Sequence, residues 1–329
     1  MRTTSDRTMW RKSLVLVGVA ALVAGTLACG GDEATDTTAA GAPYDVSVTE
    51  VAAPTERMGD VTLYAPERDG SWPVTVLFPG WDSARSTLDP LARALAAEGV
   101  VVATAESGSG DEVLAGEYEC SQRLAVLSAW QHGGDPEAPV AVGGHSMGAA
   151  LALMASAFDP FYSLTTGELL DCGLEGEADL PSMDLVIGLG GIWAPAECDG
   201  LPADAPVGVS DGFPAYVDPF DGNPSVPILM AHGTADPVCS IEVARAAADE
   251  FEANGHPVEL LVFEGGGHSD GMLFLDAGND VTDVPADPDA TEGREVVTAI
   301  VGALSAAAES GPDEEASGRS GVDTITDLE

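Results

Sequence analysis

Of 329 residues, 55 are acidic and 12 basic, a formal charge of −43 at pH 7, while 45% are apolar. The apolar share is enough for a sizeable core, in one large domain or two small ones. A field of this sign repels nucleic acid and anionic membrane surfaces, which excludes both as partners reached by charge; it reads as solubility, as a salty habitat would favour, with a specific cationic partner the alternative.

The chain opens on an address. Arg2, Arg7, Arg11 and Lys12 make a positive start, and residues 13–28 are an almost unbroken apolar run. That length is short for a membrane span and right for the core of a signal peptide. The run ends in Thr26-Leu27-Ala28-Cys29-Gly30, which resembles the lipobox of bacterial lipoproteins. The resemblance implies cleavage after Ala28 and a diacylglycerol on Cys29. A secretory signal cut nearby and an uncleaved anchor are the alternatives. Residues 29–43 are acidic, rich in Thr, Ala and Gly and without a core pattern, so they read as a flexible tether. The expected location is the outer face of a bacterial membrane, reached through the lipid alone, or secretion.

Export makes the remaining cysteines informative. Cys120, Cys172, Cys198 and Cys239 form an even set, which an oxidising compartment joins as two disulfides in any of three pairings. Four buried thiols are the alternative. No pair has C-x-x-C spacing and no ligand cluster accompanies them, so no metal is expected.

From residue 44 a regular alternation begins. Apolar, β-branched runs at 46–51, 61–64, 74–78, 100–105, 140–143, 185–189, 226–231 and 258–263 predict eight short strands bounded by Gly, Pro or Asp. Helical patterns occupy 88–98, 117–131, 148–158, 241–254 and 295–309. Strands alternating with helices predict an α/β domain over about 44–310, with a mostly parallel sheet covered by helices on both faces. The first strands have no helices between them, so that edge is expected to be antiparallel. Two stretches, about 159–183 and 194–224, are rich in Pro, Gly and acids and read as insertions over one end of the sheet. Residues 311–329 read as a disordered acidic tail.

The chemistry is carried by Gly144-His145-Ser146-Met147-Gly148, which follows a buried-type strand and opens an apolar helix. A G-x-S-x-G turn in that setting is a nucleophile elbow: it pushes a serine hydroxyl into the open beside the helix N-terminus. A serine nucleophile needs a base, and the base an orienting acid. His268, in Gly265-Gly266-Gly267-His268-Ser269, sits on the loop after the last strand and is the expected base. His132 and His256 read as solvated turn residues, His145 as pointing away from the hydroxyl, and His232 as packing or bonding its own loop backbone. Asp236, just after the seventh strand, is the expected acid, completing the chain order Ser, Asp, His. Glu264 and Asp270 compete for that role. The oxyanion donors are expected to be the main-chain N–H groups of Met147 and of Trp81, the latter in Phe78-Pro79-Gly80-Trp81-Asp82.

Together these segments resemble the α/β-hydrolase superfamily over roughly residues 44–310. Within it they resemble the bacterial cutinase-like polyester hydrolases, the group that includes PET hydrolases, with dienelactone-hydrolase-like esterases as neighbours. Phe78-Pro79-Gly80-Trp81 with Ser83-Ala84-Arg85-Ser86-Thr87, Leu95-Ala96-Ala97-Glu98-Gly99-Val100-Val101-Val102, the elbow and the His268 segment carry the resemblance. It implies the α/β-hydrolase fold, no cofactor, Trp81 as an oxyanion donor, and Trp193 of Gly191-Ile192-Trp193 lining the ester cleft with Trp81 and Met147. Ser146 stands where dienelactone hydrolases carry cysteine, and Ala149-Ala150 where the polyester hydrolases carry glycines.

The expected function is that of a monomeric serine carboxylic-ester hydrolase. It works through an acyl-enzyme on Ser146, on small neutral apolar esters or polymeric ones. A serine peptidase of the same fold and a non-catalytic binding lipoprotein are the alternatives.

Overall fold

The computed structural model describes residues 44–54, 59–80, 83–106, 115–157, 172–174, 183–193, 198, 200, 226–275, 287 and 290–310. The expected leader with Cys29, the expected tether, Trp81, nearly all of both expected insertions and the expected tail lie outside the described residues.

Eight strands form one sheet: β1 (Val46–Val51), β2 (Val61–Pro66), β3 (Val74–Phe78), β4 (Val101–Ala105), β5 (Val140–His145), β6 (Leu185–Leu189), β7 (Ile228–Gly233) and β8 (Val258–Phe263). Their spatial order is β1-β2-β4-β3-β5-β6-β7-β8. β1 and β2 pair antiparallel, as do β2 and β4, and every other pair is parallel. The antiparallel edge is thus the two strands that lack a crossover helix, whereas β3 enters the sheet between β4 and β5. β5 runs two residues further than its apolar pattern, because Gly143, Gly144 and His145 pair with β6 despite having no β-branched side chain.

Helices α1 (Asp89–Ala97), α2 (Ala115–Gln131), α3 (Met147–Ala157), α4 (Ile241–Ala253) and α5 (Thr291–Ser310) cover both faces. Strand alternation sorts the core. Val74, Val76 and Phe78 of β3 face Leu124, Ala125 and Ala129 of α2, while Leu77 faces the layer of Leu91 and Leu95 from α1 and Ile300 from α5. Val186, Ile228 and Met230 meet Ala149 and Leu153 of α3 and Phe251 of α4. Burial on both faces explains why β3 to β7 read as continuous apolar runs. α1 starts with Asp89 and Pro90, which suit a helix N-terminus, and is closed by Gly99 at a φ of +94°.

Two disulfides resolve the open pairing. Cys120 of α2 joins Cys172, and Cys198 joins Cys239, with Cα separations of 5.5 and 4.4 Å. Cross-links closing loops of 52 and 41 residues each stabilise a fold by about 2–4 kcal/mol. Each also ties down one residue from the sequence of an insertion.

Candidate active site

Because β3 and β5 to β8 run parallel, their carboxyl ends share one edge of the sheet, and the loops leaving them meet there. Ser146 stands between β5 and α3 with a φ of +55°. A left-handed backbone in a residue with a Cβ costs about 1–3 kcal/mol and persists only where its surroundings impose it. Here the Ser146 N–H donates to Leu189 O (2.9 Å) and Ser146 O accepts from the Ile192 N–H (3.3 Å). The flanking glycines are required by space. A Cβ on Gly144 would lie 2.4 Å from Phe78 O, and one on Gly148 2.3 Å from the same atom. The turn leaves Ser146 partly exposed and sets the Met147 N–H in the first turn of α3, where backbone donors have no intrahelical acceptor. Gly80 passes close by, since its Cβ would be 3.2 Å from that of Ser146. The loop that continues to Trp81 therefore starts against the elbow.

The candidate acid and base come from the next loops along this edge. His268 Nδ1 lies 2.7 Å from Asp236 Oδ2; the aspartate side chain is fully buried and the histidine 14% exposed. Asp236 Oδ1 accepts the N–H groups of Val238 (2.7 Å) and Cys239 (3.0 Å). Burial alone would raise the carboxyl pKa. The His268 hydrogen bond and charge, with the two backbone donors, outweigh it and hold the group below the ordinary carboxylate value. An ionised acid on Nδ1 fixes the imidazole so that Nε2 is left to exchange protons.

His145 and His232 are nearer the chemistry than their sequence readings suggested. His145, 3% exposed, directs Nε2 at His268 O (3.0 Å), so it clasps the backbone of the candidate base. A carbonyl only accepts, so that nitrogen carries the proton. Burial, then the neighbouring His268, push the His145 pKa down to about 3, and the ring stays neutral. Gly190, at a φ of +54°, makes room for the clasp: its Cβ would lie 2.5 Å from His268 O. His232 is fully buried, with Nε2 2.8 Å from Cys239 O and 3.2 Å from Asp236 Oδ2. The four-residue spacing of His232 and Asp236 across a tight turn was the available signal; for His145 only adjacency to Ser146 was visible.

Three expectations are corrected. Trp193 does not line an open cleft: its indole is 1% exposed, packed edge-on against Phe251 over Gly188 and Gly191. The Met147 side chain is likewise in the core, 2% exposed, so only its backbone N–H faces the elbow chemistry. His256 is buried, with Nδ1 2.8 Å from Val226 O, whereas His132 is exposed as expected. Trp81 lies outside the described residues. Among the described residues no group of His, Cys, Asp and Glu has the arrangement of a metal site.

The buried histidines give an acid-stability prediction. In the unfolded chain His145 titrates near 6.5, in the fold near 3. Between those values the unfolded state binds a proton the native state refuses, so stability falls as pH falls. From pH 7 to 5.5 His145 alone should cost on the order of 1 kcal/mol. His232, also held neutral by burial, adds in the same direction. Asp236 has the same sign, because its pKa is also depressed in the fold, but its contribution is lost only as pH falls through the carboxylate range, below this window. Denaturant titrations in 0.5 M salt, which screens the acidic self-repulsion to about 4 Å, check this; equal or greater stability at pH 5.5 contradicts it.

No family model and no curated protein sequence matches the chain. Solved structures do. A truncated carbohydrate esterase from gut microbiota superposes with a TM-score of 0.60 at 17% identity, over 80% of this chain and 98% of that one. Esterase 2 of Thermogutta terrifontis gives 0.54 at 19% identity, over 80% and 94%. The Pyrobaculum calidifontis esterase gives 0.55 at 17%, over 80% and 86%. The chain has the α/β-hydrolase fold. Ser146 lies at the turn after β5, Asp236 on the loop after β7 and His268 on the loop after β8.

Proposed function

We propose that the protein is a serine carboxylic-ester hydrolase with Ser146 as nucleophile, His268 as base and Asp236 as orienting acid. His268 Nε2 takes the Ser146 proton as the oxygen attacks the ester carbonyl carbon. The Met147 and Trp81 N–H groups hold the oxyanion, the alcohol leaves with the proton from His268, and water repeats the cycle to free the acid. The observation that carries this reading is the strained backbone of Ser146 at the same sheet edge as the 2.7 Å Asp236–His268 pair. A binding protein has no use for such strain. The structural neighbours are esterases by name, and esterase 2 of Thermogutta terrifontis was solved phosphonylated by cyclosarin and phosphorylated by paraoxon.

Neutral apolar esters are the proposed substrates, polyesters among them. The chain carries 55 acids and 12 bases, and the described residues place no arginine or lysine against Asp236 or His268 to receive an anionic group. p-Nitrophenyl butyrate should be turned over, and a carboxylate-bearing ester should be a poorer substrate at low salt than its methyl analogue. No turnover of the butyrate sinks the esterase reading; preference for the anionic ester sinks the substrate class.

The two disulfides favour an oxidising compartment, in line with export and lipid attachment at Cys29. Mass spectrometry of the N-terminus from a bacterial host tests this. A diacylated Cys29 fits, and an unmodified, freely soluble N-terminus beyond residue 29 does not.

A further inference from the structure

We propose that His232 is a positioning residue that acts on the reaction through Asp236, an inference that rests on the serine-hydrolase reading above. Having this side chain here carries a cost. His232 is 0% exposed, and its Nδ1 is buried with no hydrogen-bond partner among the described residues. Leaving a buried polar nitrogen unpaired is destabilising, so an apolar residue of similar size would suit packing better. What offsets the cost lies at the other nitrogen. Nε2 is 2.8 Å from Cys239 O, which can only accept, so Nε2 carries the proton and Nδ1 does not. The same N–H lies 3.2 Å from Asp236 Oδ2, the oxygen that also receives His268 Nδ1 at 2.7 Å.

Asp236 is therefore held at both ends. Oδ1 is pinned by the N–H groups of Val238 and Cys239, and a carboxylate pinned at one oxygen can still pivot about it. His232 lies within reach of the second oxygen and limits that pivot, which fixes the direction from which Asp236 meets His268. Cys239 serves both sides of the arrangement, donating its N–H to Oδ1 and accepting from His232, while its sulfur is tied to Cys198. His232 sits at the end of β7, so the sheet carries the position of the acid to the base through one buried ring.

The test is steady-state hydrolysis of p-nitrophenyl butyrate by the full chain and its variants. His232→Phe should lower kcat roughly 10- to 100-fold by letting the acid drift. KM should stay within about twofold, because no ground-state contact is removed. His232→Gln can return an N–H to the place of Nε2 and should recover most of the loss. In an Asp236→Ala background His232→Phe should leave the residual kcat where it was, since the group it acts through is gone. Wild-type kcat in His232→Phe, or the same fractional loss in both backgrounds, overturns the proposal. Should His232→Phe fail to fold, nitrogen NMR of the unmodified protein decides: an Nε2–H tautomer at His232 supports the proposal and an Nδ1–H tautomer overturns it. A wild-type chain without esterase activity removes the serine-hydrolase reading and this inference together. An active wild type with an unimpaired His232→Phe removes this inference alone.

Discussion

Ser146→Ala is expected to abolish ester hydrolysis, lowering kcat on the order of 10⁵–10⁶-fold while the fold survives. The expectation has two independent parts. The hydroxyl is the only group at the elbow able to form the acyl-enzyme, so no residual route of comparable rate exists. The side chain is partly exposed and contributes little packing, and alanine at a φ of +55° carries the same backbone strain as serine. The melting temperature should therefore hold. Ser146→Gly should be equally inactive and more stable by about 1 kcal/mol, because glycine adopts the left-handed region without a Cβ clash. Rates on p-nitrophenyl butyrate with thermal melts check both parts. Substantial turnover in Ser146→Ala would move the nucleophile elsewhere, and a glycine variant less stable than wild type would contradict the strain argument.

Asp236→Asn should cost about 10³–10⁴ in kcat. The local geometry says why the loss is so large for an isosteric change. The N–H groups of Val238 and Cys239 demand an acceptor at Oδ1, so the amide oxygen goes there and the NH₂ is turned to His268 Nδ1. That nitrogen must then accept, the imidazole proton moves to Nε2, and Nε2 can no longer take the proton of Ser146. Activity of the purified variant measures this directly. Near-normal turnover would hand the acid role to another carboxylate, with Asp270 and Glu264 the first to try.

How far the sequence reveals this molecule depends on whether a feature is local. The eight strands and five helices follow from period and punctuation, and strands buried on both faces announce themselves as runs such as Val100–Ala105. The elbow is legible because its pattern lies within one strand-turn-helix unit, although the clash its glycines avoid is with Phe78 of β3. Contacts between distant segments are not legible. The resemblance to polyester hydrolases places Trp193 in the cleft, yet Gly188 and Gly191 vacate the space its indole fills: a Cβ on Gly188 would lie 2.0 Å from Cη2 of the ring. His256 sits in a polar turn but meets Val226 O, thirty residues away in sequence. Disulfide pairing depends on which loops the sheet brings together. His145 and His232 were hidden for the same reason, each meeting the machinery from another loop or across a turn.

The central claim is that Ser146 forms a covalent acyl-enzyme. The most direct measurement is reaction of the purified chain with paraoxon, followed by proteolysis and tandem mass spectrometry of the product. One diethyl phosphate per chain is expected, on the peptide containing Gly144-His145-Ser146-Met147-Gly148 and on the serine within it, with esterase activity lost in proportion. Complete labelling at a different residue, or full activity in a chain phosphorylated on Ser146, would contradict it.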